Sequence, residues 1–248
     1  MQPAKPISQT LFISDLHLSE ANAHLNALFR TLIENLLQKT TQVDALYILG
    51  DFFDVWLGDD IAGSWEKSII EQLSLLVKSG IPVYFMQGNR DFLLGQPFLQ
   101  LAQCVLLPDP AKIMLYGKQI VLKHGDDLCQ DDRKYQCFRR FVRMSWIKKQ
   151  YLNLPVIWRR RIAASIRQKS QARGMRDIYS KVSTKLVNAL LQDADTLIHG
   201  HTHCPQIENI LVDGKVCQHI ILSDWHQQGN MLVVSSDGMF KLDYFDVK

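Results

Sequence analysis

Apolar residues along this chain alternate between two spacings. Thr10 to Ser14 is a short run rich in β-formers, Asn22 to Gln38 repeats apolar residues at helical spacing (Leu25, Leu28, Phe29, Leu32, Ile33, Leu36), and Ala45 to Leu49 returns to strand. That order predicts a βαβ unit. Ser64 is placed to cap a helix whose Ile69, Ile70, Leu73, Leu76 and Val77 share a face, and Gly80 and Pro82 stop it before a strand at Val83 to Gln87. Ile113 to Tyr116 and Gln119 to Lys123, joined through Gly117-Lys118, predict a β-hairpin.

From about Asp131 to Gln192 the pattern is helical. Tyr135, Phe138, Phe141 and Val142 share a face, Leu154-Pro155 breaks the run, and Val156 to Ala172 resumes it. Strands then return at Thr196 to His199, Ile207 to Leu211, Val216 to Leu222, Met231 to Ser235 and Phe240 to Tyr244. Their alternation and the turn signals Asp213-Gly214 and Asp237-Gly238 predict an antiparallel sheet. The whole reads as one α/β domain over 1–248, two packed sheets with flanking helices, and an inserted helical cap at 128–192.

Composition narrows the class. A chain of 248 residues that is 47% hydrophobic can bury one sizeable core. Its longest apolar runs fall far short of the roughly 20 residues that span a bilayer. The segment Met1 to Gln9 lacks a signal-peptide core, so a cytoplasmic location is expected. Five cysteines without a Cys-x-x-Cys pair argue for free thiols.

The net charge of +3 announces no polyanion partner, but its distribution is lopsided. Between Leu128 and Lys185 lie 16 of the 28 Lys and Arg residues, opposed only by Asp131, Asp132 and Asp177. Phe138, Phe141, Trp146, Tyr151, Ile157 and Trp158 are interleaved with them, a mixture suited to peripheral contact with an anionic membrane. No nucleic-acid module is recognisable, so no nucleic-acid partner is expected. A monomer is expected.

The chemistry lies in five motifs: Asp15-Leu16-His17, Gly50-Asp51-Phe52-Phe53-Asp54, Gly88-Asn89-Arg90-Asp91, His124-Gly125-Asp126 and His199-Gly200-His201-Thr202-His203. Each begins where an apolar strand run ends, so their side chains gather along one edge, as ligand sites in α/β sheets do. Carboxylate and amide oxygens mixed with imidazoles suit divalent manganese, iron or zinc, and two such ions clamp a phosphoryl group. Asp15 and His17, like His201 and His203, are read as alternate residues of extended segments pointing to one side. Gly50 lets the chain turn sharply before Asp51. His24 and His219 read as solvent or core residues, and His226 is given no chemistry.

These motifs together resemble the calcineurin-like metallophosphoesterase family. The resemblance implies a four-layer αββα sandwich holding two metal ions, with Asp15, His17, Asp51 and His203 on the first and Asp51, Asn89, His124 and His201 on the second. Asp51 would bridge them, and Asp54, Asp91 and Asp126 would orient ligands. Asp51, Asn89, Arg90 and His124 are the catalytic candidates. The family commonly has a histidine where this chain has Arg90. Arginine does not give up a proton at neutral pH, but it neutralises phosphate charge, which favours a phosphoanhydride whose leaving group is already a stable anion. The alternative for Arg90 is a structural ion pair with Asp91.

Gly-Asn-Arg-Asp, the run Asp131-Asp132-Arg133-Lys134-Tyr135-Gln136 and Arg161-Ile162-Ala163-Ala164 resemble a narrower group, the pyrophosphatases that act on UDP-2,3-diacylglucosamine in lipid A biosynthesis. That resemblance implies two manganese ions per chain, with iron or zinc as alternatives, and a nucleotide-sugar glycolipid substrate. Water would attack the α-phosphorus, at the cytoplasmic face of the inner membrane. Asn89, Arg90, Asp132, Ser170 and His201 would touch substrate, Tyr135 is a further pocket candidate, and Arg173 and Arg176 are candidates for gripping phosphate or uridine. Competing readings are another phosphodiesterase acting on nucleotides or nucleic acid, and a metal-free binding protein on the same fold.

Overall fold

The computed structural model describes residues 7–38, 41–131, 133–177 and 182–247, with side chains through 168 and again from 182. In chain order the first half holds β1 (Ser8–Ile13), α1 (Ala23–Leu37), β2 (Gln42–Leu49), α2 (Ser64–Lys78), β3 (Val83–Met86), α3 (Gln96–Ala102), β4 (Val105–Leu107), β5 (Ala111–Leu115) and β6 (Lys118–Lys123). Four helices follow: α4 (Arg133–Val142), α5 (Ser145–Leu152), α6 (Val156–Asp177) and α7 (Thr184–Leu191). The chain closes with β7 (Thr196–His199), β8 (Gln206–Val212), β9 (Lys215–Ile221), β10 (Gly229–Ser235) and β11 (Phe240–Phe245).

Two sheets result, one in the order β11-β10-β1-β2-β3-β4 and the other β5-β6-β7-β9-β8. Alternation along β1 shows how they stack, because successive side chains point to opposite faces. Leu11 and Ile13 enter a core that includes Leu28, Phe29 and Leu32 of α1, Ile70 and Leu73 of α2 and Phe98 of α3. Phe12 enters a second core between the sheets, with Tyr47, Met86, Ile120, Ile198, Ile220 and Leu232. On the far face of the second sheet, Val121, Leu197 and Cys217 pack against Val187 and Leu191 of α7. Helices, sheet, sheet and helix therefore form the αββα sandwich.

Some elements differ from the pattern-based expectation. The late strands do not make one antiparallel sheet. The hairpin β10-β11 joins the first sheet, with β10 antiparallel to β1. Strand β7 runs parallel to both neighbours, β6 and β9, and only β8 is antiparallel to β9. Period-two alternation reports burial of a face and is silent on strand direction, which explains the error. Helix α2 is capped by Gly63, whose N–H donates to Glu66 Oε2 at 2.8 Å, so Ser64 is its first helical residue. The β5-β6 turn is Tyr116-Gly117, both at positive φ (48° and 82°), one residue earlier than expected and of the kind that suits a two-residue hairpin. Helix α3 and the three-residue β4 are too short to show a period. The cysteines among the described residues are free, and no helix is long and apolar enough to cross a membrane.

Candidate metal centre

Strands β1, β2 and β3 run parallel in one sheet, and β6, β7 and β9 run parallel in the other. All six end at the same place. Asp15 follows β1, Asp51 follows β2, Asn89 follows β3, His124 follows β6 and His201 follows β7. Apolar residues between the polar ones pin these loops: Leu16, Phe52 and Phe53 are buried in the core under the first sheet.

Two groups of ligand atoms form, each with its atoms within 4.8 Å of one another: Asp15, His17 and His203, and Asp51, His124 and His201. Asn89 belongs with the second, its Oδ1 lying 3.0 Å from His124 Nε2. The expected side-by-side placement of Asp15 with His17 holds, but its geometry does not. Both adopt left-handed backbone (φ 56° and 51°), as do Asp51 (52°), His201 (68°) and His203 (55°). These are turns, and non-glycine residues with such φ values cluster where function over-determines the backbone. Glycine supplies the close approaches. A Cβ on Gly88 would lie 2.2 Å from Asp51 Oδ1, and one on Gly200 would lie 2.3 Å from Asp15 Oδ2.

Hydrogen bonds fix each ligand. His124 Nδ1 donates to the Leu49 carbonyl at 2.9 Å, leaving Nε2 to face Asp51 Oδ1 at 3.6 Å. Asp15 Oδ2 accepts from Ser14 Oγ (2.7 Å) and the His201 N–H (2.8 Å). Asp51 Oδ1 accepts the Arg90 N–H at 2.8 Å. Asp91 takes the Phe52 and Gly88 N–H groups on its two oxygens (2.8 and 2.7 Å) and so ties the Gly-Asp turn to the Gly-Asn turn. Asp126 accepts from Arg139 Nε at 2.6 Å and from the Tyr135 hydroxyl at 3.1 Å. The Tyr135 ring stacks on His201 with centroids 6.4 Å apart.

Arg90 does not pair with Asp91. Its Nη1 donates to Asp54 Oδ1 at 2.8 Å and its Nε lies 3.4 Å from Asp51 Oδ2. The arginine thus sits beside the second ligand group, with its side chain about one-third exposed. The second oxygen of Asp54 pairs with Arg167 of α6. Asp132 lies outside the described residues, and so do the side chains of Ser170, Arg173 and Arg176.

Electrostatics divide the site. Burial and nearby Arg90 hold the His17 ring down to about 3, and burial with His124 holds His201 at about 4. His124 and His203 go the other way. Burial opposes their charge, but Asp51, Asp15 and Asp126 raise His124 to about 9, and hydrogen bonds to Asp15 and Asp224 raise His203 to about 10. Asp91, buried beside Asp51, is pushed up to about 7.

Asp224 is absent from the sequence reading. It follows β9, its Oδ2 lies 3.1 Å from His203 Nδ1, and His226 Nε2 reaches the same oxygen at 2.6 Å. The signal lies in Asp224-Trp225 after an apolar run, but only because β9 is parallel to β7 does its end reach the site.

The sequence model for calcineurin-like phosphoesterases matches residues 8–205. The chain belongs to that family. Among curated relatives, "UDP-2,3-diacylglucosamine hydrolase" of Coxiella burnetii is 41% identical over 96% of this chain and 98% of its own length. Proteins of the same name from Shewanella piezotolerans (44% identical; 93% of this chain, 96% of that one) and Stenotrophomonas maltophilia (41%; 92% and 96%) are similar in the same way.

A phosphoesterase of this family is a hydrolase that uses divalent metal ions, and the residues present fit them. Both ring nitrogens of His17 are buried without a hydrogen-bond partner, which is costly unless a ligand occupies them. Two carboxylates, an amide oxygen and four imidazoles match the oxygen and nitrogen preferences of manganese, iron or zinc.

Proposed function

We propose that this phosphoesterase hydrolyses the pyrophosphate bond of UDP-2,3-diacylglucosamine in lipid A biosynthesis, with manganese as its metal and iron or zinc as alternatives. The names of its curated relatives support the substrate. The observation that carries the bond type is Arg90, paired with Asp54 and set against Asp51, where an acid for a poor leaving group would otherwise stand. Asp15, His17, Asp51 and His203 would hold one ion, and Asp51, Asn89, His124 and His201 the other. Such a pair polarises phosphoryl oxygens and generates a nucleophile from water at neutral pH.

The chain's own residues have separate tasks. Asn89 and Arg90 bind and orient the pyrophosphate, and Arg90 neutralises the charge that grows as the bond breaks. Water oxygen adds to the α-phosphorus and gives up its protons to solvent, and the bond from that phosphorus to the bridging oxygen breaks with its electron pair staying on the leaving phosphate. The products are UMP and 2,3-diacylglucosamine 1-phosphate. No proton need be given to that leaving group, consistent with arginine in place of histidine. Tyr135 and His201 line the pocket, and resemblance adds Asp132, Ser170, Arg173 and Arg176.

Residues 128–192 act as a cap for the acyl chains and as the membrane contact. Exposed Phe138, Phe141, Trp146, Ile157 and Trp158 on α4 to α6 support this, as do the basic residues among them. One of those bases is not a surface cation: Arg159 is buried, bonded to the Leu57 carbonyl and paired with Asp60. The enzyme would work as a monomer at the cytoplasmic face of the inner membrane.

The test is phosphorus NMR of UDP-2,3-diacylglucosamine turnover with manganese in oxygen-18 water. Label in UMP is the expected result. Label in the lipid phosphate means attack at the other phosphorus, and no turnover, with cleavage of a simple phosphodiester instead, defeats the substrate assignment.

A further inference from the structure

The second sheet carries a polar chain that the proposed reaction does not use. Glu208 on β8 is the cross-strand partner of His219 on β9, and His219 is the diagonal neighbour of His199 at the end of β7. His219 Nδ1 lies 2.8 Å from Glu208 Oε1, the two Nε2 atoms lie 2.9 Å apart, and His199 Nδ1 lies 2.9 Å from the Gly200 carbonyl. His199 is completely buried and His219 nearly so, whereas the Glu208 side chain reaches solvent.

Counting hydrogens orders this chain. A carbonyl only accepts, so Nδ1 of His199 carries a hydrogen, and the contact between the two Nε2 atoms needs another. With the His199 Nδ1 hydrogen directed to the Gly200 carbonyl, His199 Nε2 is the acceptor and His219 Nε2 the donor in the contact between the rings. His199 is then the neutral tautomer with its hydrogen on Nδ1, committed to Gly200.

The Gly200 peptide is a junction. Its N–H donates to the His124 carbonyl at 2.9 Å, and its carbonyl also accepts the Thr202 N–H at 2.8 Å. The His201 and His203 that follow are in left-handed backbone, and the His201 N–H is held by Asp15 Oδ2 at 2.8 Å. A Cβ on Gly125 would lie 2.9 Å from His199 Nδ1, so the ring fills the gap between the His-Gly-Asp turn and the His-Gly-His turn.

We propose that His219 is a positioning residue: by donating to His199 it fixes the ring that fixes Gly200, and so presets His201 and His203 for their cations. This rests on the reading of those two histidines as ligands. His219→Gln keeps a donor toward His199, His219→Leu removes it, and Glu208→Ala removes only the outer partner.

Manganese binding is measured by electron paramagnetic resonance of the free ion, with circular dichroism to check folding. Loss of an outer partner of a ligand typically weakens metal binding about 10–100-fold. His219→Leu is expected at about 10-fold, His219→Gln within about threefold of wild type and Glu208→Ala at about threefold, since each acts one step further from the metal. In the metal-free chain, nitrogen-15 histidine NMR is expected to show His199 protonated at Nδ1 and a hydrogen on His219 Nε2. Wild-type affinity in His219→Leu, equal damage from Gln and Leu, or His199 protonated at Nε2 overturns the proposal. If His219→Leu does not fold, Glu208→Ala and the NMR assignment decide. A wild-type chain that binds no manganese defeats the ligand reading instead.

Discussion

Asp54 holds two arginines at once: Arg90 Nη1 at 2.8 Å on one oxygen, and Arg167 of α6 on the other. Arg90 is thereby joined to α6 through a shared carboxylate. Arg90→Met is expected to lower kcat by about 10²–10³-fold, the usual cost of removing a preorganised charge-stabilising donor. Arg90→Lys retains charge but lacks the fork that spans Asp54 and Asp51, so it should recover only part of this. UMP release at saturating manganese measures both.

Asp224 should matter through His203. A carboxylate on the far nitrogen of a ligating histidine sets its tautomer and basicity. Asp224→Asn is expected to weaken manganese binding about 10–100-fold while leaving the metal-free chain folded. Equilibrium dialysis reads the first and circular dichroism the second.

The pH dependence follows from His124 and His203, whose folded values of about 9 and about 10 both stand above the ordinary 6.5. A raised histidine contributes its stability fully below the unfolded value. That contribution disappears as pH climbs through the folded value. The metal-free chain should therefore lose stability between about pH 6.5 and 10, whereas cation binding, which needs neutral rings, should strengthen over the same interval with release of two protons. Thermal melts at several pH values and calorimetry in buffers of different ionisation enthalpy check the two halves.

Gly88→Ala and Gly200→Ala test the close approaches. The added Cβ atoms would fall 2.2 Å from Asp51 Oδ1 and 2.3 Å from Asp15 Oδ2, well inside contact distance, so each should displace one carboxylate. Each variant is expected to hold fewer manganese ions than wild type by metal analysis. Gly214→Ala has open space at the same atom but a positive φ, so it should lose stability and keep its metal.

Much of this site was readable because its residues lie at strand ends, and apolar runs mark strand ends well. Leu46 to Leu49 and Val121 to Leu122 are buried on both faces, so the polar residues after them stand out. The ligand backbone was less legible. Asp15 and His17 look like alternate residues of an extended strand, yet both turn left-handed, since nothing local distinguishes a strand from a tight turn held by contacts such as the Asp15 N–H to Gly50 carbonyl bond. Asp224, His226 and the His219 chain stayed hidden for a different reason. Their partners lie across the sheet or across the site, 21 residues from His203 to Asp224 and 20 from His199 to His219, and pairings of that range come from topology.

Each group of candidate ligands draws on both sheets. Asp15 and His17 leave one sheet to meet His203 of the other, and Asp51 leaves the first to meet His124 and His201 of the second. A cation in either place would be a rivet through two layers that are otherwise joined by apolar packing and by hydrogen bonds such as His124 Nδ1 to the Leu49 carbonyl and the His201 N–H to Asp15. Chelation should then do more than silence the enzyme: it should loosen the seam at this end, visible as faster amide exchange at the tips of β2 and β7 while the far ends of the same strands stay protected.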